Sequence, residues 1–168
     1  MWSLSLLAAS LSGLLVSCAT SPPSPPARRS QSAELAPRRA NDVLMRAIGL
    51  VGTPYRYGGN SPQGGFDCSG LVGYVFRDAA GIELPRTADA ISRAPGTTLN
   101  RQQLAAGDLV LFGDGRRIDH IGIYVGDQRF VHAPSTGGTV RLDPLDSRYW
   151  QRRFVAGRRI HGLNRQAP

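Results

Sequence analysis

Apolar positions along the chain change period several times. Residues 4–16 hold a near-continuous apolar run, from Leu4 and Leu6 to Leu15 and Val16. Pro, Ser and Arg then dominate up to residue 40. Val43, Leu44, Ala47, Ile48 and Val51 recur at helical spacing, so a helix is predicted there. Asn41-Asp42 can cap its start and Gly52-Thr53-Pro54 can end it. A Gly-rich loop covers 58–65. Asp67-Cys68-Ser69-Gly70 then opens a second helix carrying Leu71, Val72, Val75, Phe76 and Ala79, which Gly81 ends. Pro85-Arg86-Thr87 begins a short third helix reaching about Ser92.

The period then shortens. Asp108-Leu109-Val110-Leu111-Phe112 reads as a buried strand, and Ile118 to Val125 and Arg129 to Ala133 as two strands around Gly126-Asp127-Gln128. Thr139 to Leu142 and Arg153 to Ile160 are further strands. Helices first and an antiparallel meander afterwards predict an α+β fold. The chain has 168 residues, enough for one core without disulfide staples.

The N-terminal apolar run is short for a membrane-spanning helix, which needs about 20 apolar residues. It reads as a signal peptide over 1–17. Its end, Leu15-Val16-Ser17-Cys18, resembles the lipobox of bacterial lipoproteins, which implies lipidation of Cys18. Residues 18–40, with Pro22-Pro23, Pro25-Pro26 and paired Arg, read as a linker. The domain is expected over 41–162, with a tail over 163–168. Of the two Cys in the sequence, lipidation of Cys18 leaves Cys68 unpaired.

Every basic residue apart from His is Arg, and the net charge is +8. Arg28, Arg29, Arg38 and Arg39 against Glu34 place +3 of it in residues 19–40. The folded part is thus only moderately basic. No basic run with interleaved aromatics occurs, so nucleic acid is not an expected partner.

Cys68 stands in the first turn of a predicted helix, where the dipole favours a thiolate and Asp67 can cap. A buried structural thiol is the other reading of a single Cys. The histidines, three in all, shift the balance. On the strand from Ile118, Ile121, Ile123 and Val125 share one face, and His120, Gly122 and Tyr124 the other. A three-residue turn at Gly126-Asp127-Gln128 pairs Gly122 with His132 and puts both His on one face; a two-residue turn would separate them. Cys68 can then attack a carbonyl, His120 take the thiol proton and His132 orient His120. Cys68, His120, His132 and His161 have no zinc-like spacing, so no metal is expected. His161 is expected to be exposed.

Several runs resemble the NlpC-type family of bacterial cell-wall cysteine peptidases. They are Thr53-Pro54-Tyr55-Arg56-Tyr57-Gly58-Gly59, Asp67-Cys68-Ser69-Gly70-Leu71-Val72, Leu84-Pro85-Arg86-Thr87, Gly107 to Phe112, His120 to Gly126 and Phe130-Val131-His132-Ala133. The match runs from about Asn41 to Ile160, and is strongest to small murein endopeptidase lipoproteins. The resemblance implies a reduced papain-like fold, with the nucleophile helix on an antiparallel sheet. It implies Cys68 as nucleophile, His120 as base and His132 as third polar group. It implies Tyr55 as an oxyanion donor, and Asp67 and Ser69 as site-shaping or substrate contacts. Arg86 lies in a recurrent block of undivided structural or substrate role. The implied partner is peptidoglycan peptide, cut at γ-D-glutamyl–diaminopimelate or D-alanyl–diaminopimelate bonds, by a monomer without cofactor. The expected place is the cell envelope, anchored by lipid at Cys18 and facing the periplasm, at the outer membrane. Amide hydrolysis or acyl transfer on other substrates, and a non-catalytic envelope adaptor, are the competing functions.

Overall fold

The computed structural model describes residues 29–135 and 138–163, with side chains from residue 38 onward. The expected signal segment, Cys18 and residues 19–28 and 164–168 lie outside them. No helix of the described residues is long and apolar enough to cross a membrane.

The first helix, α1 (Arg29–Gly49), begins well upstream of the expected Asn41-Asp42 cap. Arg39 Nη1 donates to the Gly162 carbonyl at 2.9 Å, and Ala40 packs on the core. The domain's packing therefore reaches into the stretch expected to be linker. The five expected apolar positions fan over about 140° at 100° per residue, too wide for one contact. The face actually covered is Val43, Ala47 and Leu50, while Ile48 and Val51 stay 43% and 48% exposed. At the other end Leu163, expected in the tail, is buried against the core, so the tail begins later.

A two-strand ribbon, β1 (Asn60–Ser61) and β2 (Gly65–Phe66), leads into α2 (Cys68–Ala80). Both ends of α2 match expectation. The Asp67 side chain accepts from Gly70 N–H, and Gly81 closes the helix in the left-handed region at φ 66°. Thr87 caps the short α3 (Ala88–Ser92) in the same way.

Six antiparallel strands follow: β3 (Gly96–Leu99), β4 (Leu109–Gly113), β5 (Ile118–Gly126), β6 (Arg129–His132), β7 (Arg141–Pro144) and β8 (Phe154–Ile160). Their spatial order is β3-β8-β4-β5-β6-β7. This is the expected α+β arrangement. Strand β7 starts later than Thr139, which instead makes an isolated bridge to Pro54. Strand β3, a 3-10 turn at Arg101–Gln103 and the short α4 (Arg148–Arg153) carried no sequence prediction.

Alternation splits the sheet into two apolar faces. Leu109, Leu111, Ile121, Ile123 and Val131 join the core beneath α1 and α2. Val110, Phe112, Tyr124 and Phe130 point the other way, onto Trp150 of α4 and Leu145. Beneath the β4–β8 seam, the fully buried Asp108 carboxylate takes two hydrogen bonds from Arg159, at 2.8 and 2.7 Å. A third comes from Ala105 N–H at 2.7 Å. Pairing and multiple donors are what make a buried carboxylate tolerable.

The β5–β6 connection corrects the expected three-residue turn. Gly126 pairs directly with Arg129, so only Asp127 and Gln128 form the turn, both left-handed at φ 48° and 55°. That is the geometry a tight hairpin requires. The register then shifts between Tyr124 and Gly126, leaving Val125 as a bulge. One bulged residue restores the parity that a two-residue turn removes. Ile123 pairs with Val131 and Tyr124 with Phe130, and that register sets Gly122 across from His132.

Candidate active site

The site is assembled from the start of α2 and the β5–β6 hairpin. The loop before α2 can close on the helix only because two glycines meet there. A Cβ at Gly70 would run into the Gly59 carbonyl oxygen. Asp67 organises this end. Its carboxylate accepts from Gly70 N at 2.7 Å, Gly58 N at 3.0 Å and Ser69 Oγ at 3.1 Å. Arg86 grips both carboxylate oxygens, at 3.0 and 2.7 Å, and donates to Ser69 Oγ at 2.9 Å. Burial alone would raise the Asp67 pKa; the bonds from Arg86, Gly70 and Ser69 more than offset it and hold the carboxyl below its usual range. Arg86 thus ties α2 to the loop before α3.

Cys68 is a free, half-buried thiol. Its pKa lies above the ordinary value, first because burial disfavours the anion and then because Asp67 is negative beside it. N–H groups of Ser69, Ile121 and Cys68 itself pull the other way without prevailing. This runs against the expectation that the helix dipole at Cys68 favours the thiolate. Tyr55 lines the same cleft, of about 740 Å³, together with Tyr57 and Arg117. Burial, then the neighbouring Cys68 and Asp67, raise the Tyr55 pKa, so its hydroxyl keeps its proton and can donate.

His120 and His132 share a face as the parity argument requires. His120 Nε2 lies 2.8 Å from His132 Nδ1, with the rings edge to face. Trp150 stacks on His120 with centroids 5.3 Å apart and planes 24° apart. His132 is fully buried, and Phe130 and Trp150 pack around it. Burial, and for His120 also the charge it would share with His132, depress both imidazoles, to about 3 for His120 and about 4 for His132. Both are neutral at neutral pH.

The structure brings the histidines together and sets the Cys68 sulfur against the N–H of Ile121, next along β5 from His120. No hydrogen bond joins Cys68 to His120 among the described residues. A second cleft of about 610 Å³, holding His120, Trp150 and Arg153, opens on the far side of Asp119, which borders both clefts. His161 is exposed at the end of β8, away from the site. No group of three or more His, Cys, Asp or Glu among the described residues is placed to hold a metal ion.

Two site residues escaped the sequence reading. Asp143 on β7 lies 3.0 Å from His132 Nε2 and accepts from Trp150 Nε1 at 3.1 Å. Trp150 follows Ser147, a helix-capping residue type that could have flagged α4.

Murein DD-endopeptidase MepH of Escherichia coli (strain K12) is 43% identical over 127 residues, covering 73% of this chain and 47% of its own length. The probable endopeptidase NlpC homolog of Haemophilus influenzae is 44% identical over 110 residues, 66% of this chain and 57% of its own. The chain thus spans about half the length of these curated relatives. The crystal structure of the NlpC/p60 domain of peptidoglycan hydrolase SagA superposes with a TM-score of 0.64 at 28% identity, over 72% of this chain and 98% of that one. The NlpC/P60 family model matches residues 52–159, which take in Cys68, His120, His132 and every strand-borne residue around them, and the chain belongs to that family.

Proposed function

We propose that the protein is a cysteine endopeptidase acting on peptidoglycan peptides, with Cys68 as nucleophile and His120 as base. The observation that carries this is the joint placement of a free thiol at the start of α2 and a neutral His120–His132 pair on the adjoining strands. The names of the relatives, which specify murein and peptidoglycan, supply the substrate class.

In this reading the resting enzyme is uncharged at both partners. The thiol proton passes to His120 as sulfur attacks the peptide carbonyl carbon. The oxyanion takes hydrogen bonds from the Tyr55 hydroxyl and from N–H groups at the start of α2. The imidazolium returns its proton to the leaving amine, and water hydrolyses the thioester. Asp67, Ser69 and Arg86 line the acyl-side cleft. Residues 1–17 act as an export signal and Cys18 as a lipid anchor, with 19–28 as tether, holding a monomeric domain at the periplasmic side of the outer membrane.

Digestion of purified sacculi, followed by mass analysis of muropeptides, tests both activity and bond. Loss of crosslinked dimers identifies the D-alanyl–diaminopimelate bond, and disaccharide-dipeptides identify the γ-D-glutamyl–diaminopimelate bond. Cys68→Ala is expected to abolish turnover. Unchanged sacculus digestion by that variant would refute the cysteine mechanism.

A further inference from the structure

We infer that Asp143 is a positioning residue that fixes the tautomers of both site histidines and so leaves the free lone pair of His120 on Nδ1. The inference rests on the peptidase reading above, in which His120 is the base.

His132 Nε2 is buried and lies 3.0 Å from Asp143 Oδ2, off the line of a straight hydrogen bond, and no other aligned partner serves that nitrogen among the described residues. Two protonation patterns are open to a neutral imidazole. A lone pair on Nε2 would face the carboxylate oxygen, and the two would repel. A proton on Nε2 is attracted to it. The carboxylate therefore selects the Nε2–H form of His132. Its Nδ1 is then a lone pair, and at 2.8 Å it must accept from His120 Nε2–H. That leaves the His120 lone pair on Nδ1, the only ring nitrogen of the pair not engaged in the chain. One carboxylate sets the direction of the whole relay.

Asp143 suits this task because it is ionised but not isolated. Burial would raise its pKa, yet hydrogen bonds from Arg141 and Trp150, with His132 beside it, bring it below the usual carboxylate range. Arg141 donates from Nε at 3.0 Å and from Nη2 at 3.1 Å. That guanidinium offsets the negative charge, which alone would favour a charged His132. The carboxylate orients the imidazole without protonating it. Through the indole N–H it also holds Trp150, whose ring covers His120. Asp143 thus governs both neighbours of the base. On β7 it sits two residues beyond Arg141, the pairing partner of His132, and therefore on the same face.

The test uses the full-length protein with ¹⁵N-labelled histidine. Long-range ¹H–¹⁵N correlations read the tautomer of each ring, and turnover is measured on a crosslinked muropeptide. In the wild type both rings are expected to carry the proton on Nε2. Asp143→Ala should mix the tautomers and lower kcat by about 10²-fold, the scale of a general-base contribution, with KM little changed. Asp143→Glu should restore the Nε2–H forms and part of the rate. If Asp143→Ala does not fold, Asp143→Asn, which keeps the shape but loses the charge, is expected to mix the tautomers with a smaller loss. A wild-type His132 protonated on Nδ1 overturns the inference. So do unchanged tautomers in whichever of these two variants folds. The tautomer reading is independent of turnover, so an active Cys68→Ala enzyme would defeat the peptidase reading and leave this result legible.

Discussion

Strand β5 presents Ile121 and Ile123 to the helices and His120 and Gly122 to an aromatic cluster, and the two faces are kept buried by different means. The helix side is held by apolar area alone. Its side chains carry no hydrogen-bonding demand, so any well-packed residue of the right size would serve. The aromatic side contains two imidazoles, a carboxylate and an indole N–H, each of which needs a partner in place. Phe112, Phe130 and Trp150 exclude water there, and the exclusion pushes both histidines into their neutral forms. On the helix face, positions away from Cys68 and Tyr55, which also pack there, can thus change stability without touching chemistry, whereas on the aromatic face the two change together.

The largest stability effect is expected on the helix side. Ile123→Ala removes a fully buried side chain between β5 and the helices and should lower unfolding free energy by about 2–5 kcal/mol. Sacculus hydrolysis per folded molecule should stay at the wild-type level. Urea titration alongside activity checks both, and a rate loss beyond the unfolded fraction would show that the faces are coupled.

Gly122→Ala should do less to stability and more to chemistry. Its Cβ would come 2.6 Å from Phe130 Cδ2, 2.9 Å from the Val131 carbonyl oxygen and 3.2 Å from His132 Cβ. The backbone oxygen cannot yield cheaply, so the hairpin must shift. We expect a loss of about 1–3 kcal/mol, and a fall in kcat of at least about tenfold because His132 is displaced. If stability drops while kcat holds, the aromatic face is less exacting than its hydrogen bonds imply.

What the sequence made legible on these two faces follows from how local each signal is. The α2 caps at Asp67 and Gly81 and the alternation along β5 depend on near neighbours, and they appear as expected. The shared face of His120 and His132 was also legible, though by a different route. A three-residue turn gives the shared face, and so does the two-residue turn plus the Val125 bulge that the molecule uses. Counting residues cannot separate these, because both add one to the parity. Asp143 was not legible at all. Its contact depends on the β6–β7 register, which nothing within its own neighbourhood specifies. The direction of the Cys68 shift was missed for a related reason: the helix position can be read locally, whereas the burial that raises the thiol pKa is a property of the folded chain.

The Cys68 side offers the smallest but most diagnostic change. Asp67→Asn keeps an oxygen for Gly70 N–H, so the cap survives. It removes the negative charge that helps raise the thiol pKa and leaves the Arg86 guanidinium in place. The thiol pKa should therefore move down, and iodoacetamide should alkylate Cys68 faster at neutral pH than in the wild type. The stability cost should be under about 1 kcal/mol, since the Arg86 side chain is 46% exposed and its ion pair is partly screened by solvent. The sign with pH is fixed by the carboxyl. Its folded pKa lies below the unfolded value of about 3.8, so its contribution is complete above that value and is lost as pH falls through the folded pKa. The stability gap between wild type and variant should accordingly be widest near neutrality and close below about pH 4. A gap that persists in acid would assign the effect to the cap and not to the charge. Slower alkylation in the variant would mean that Asp67 is not what holds the thiol protonated, and burial alone would then separate the Cys68 side from the histidine side.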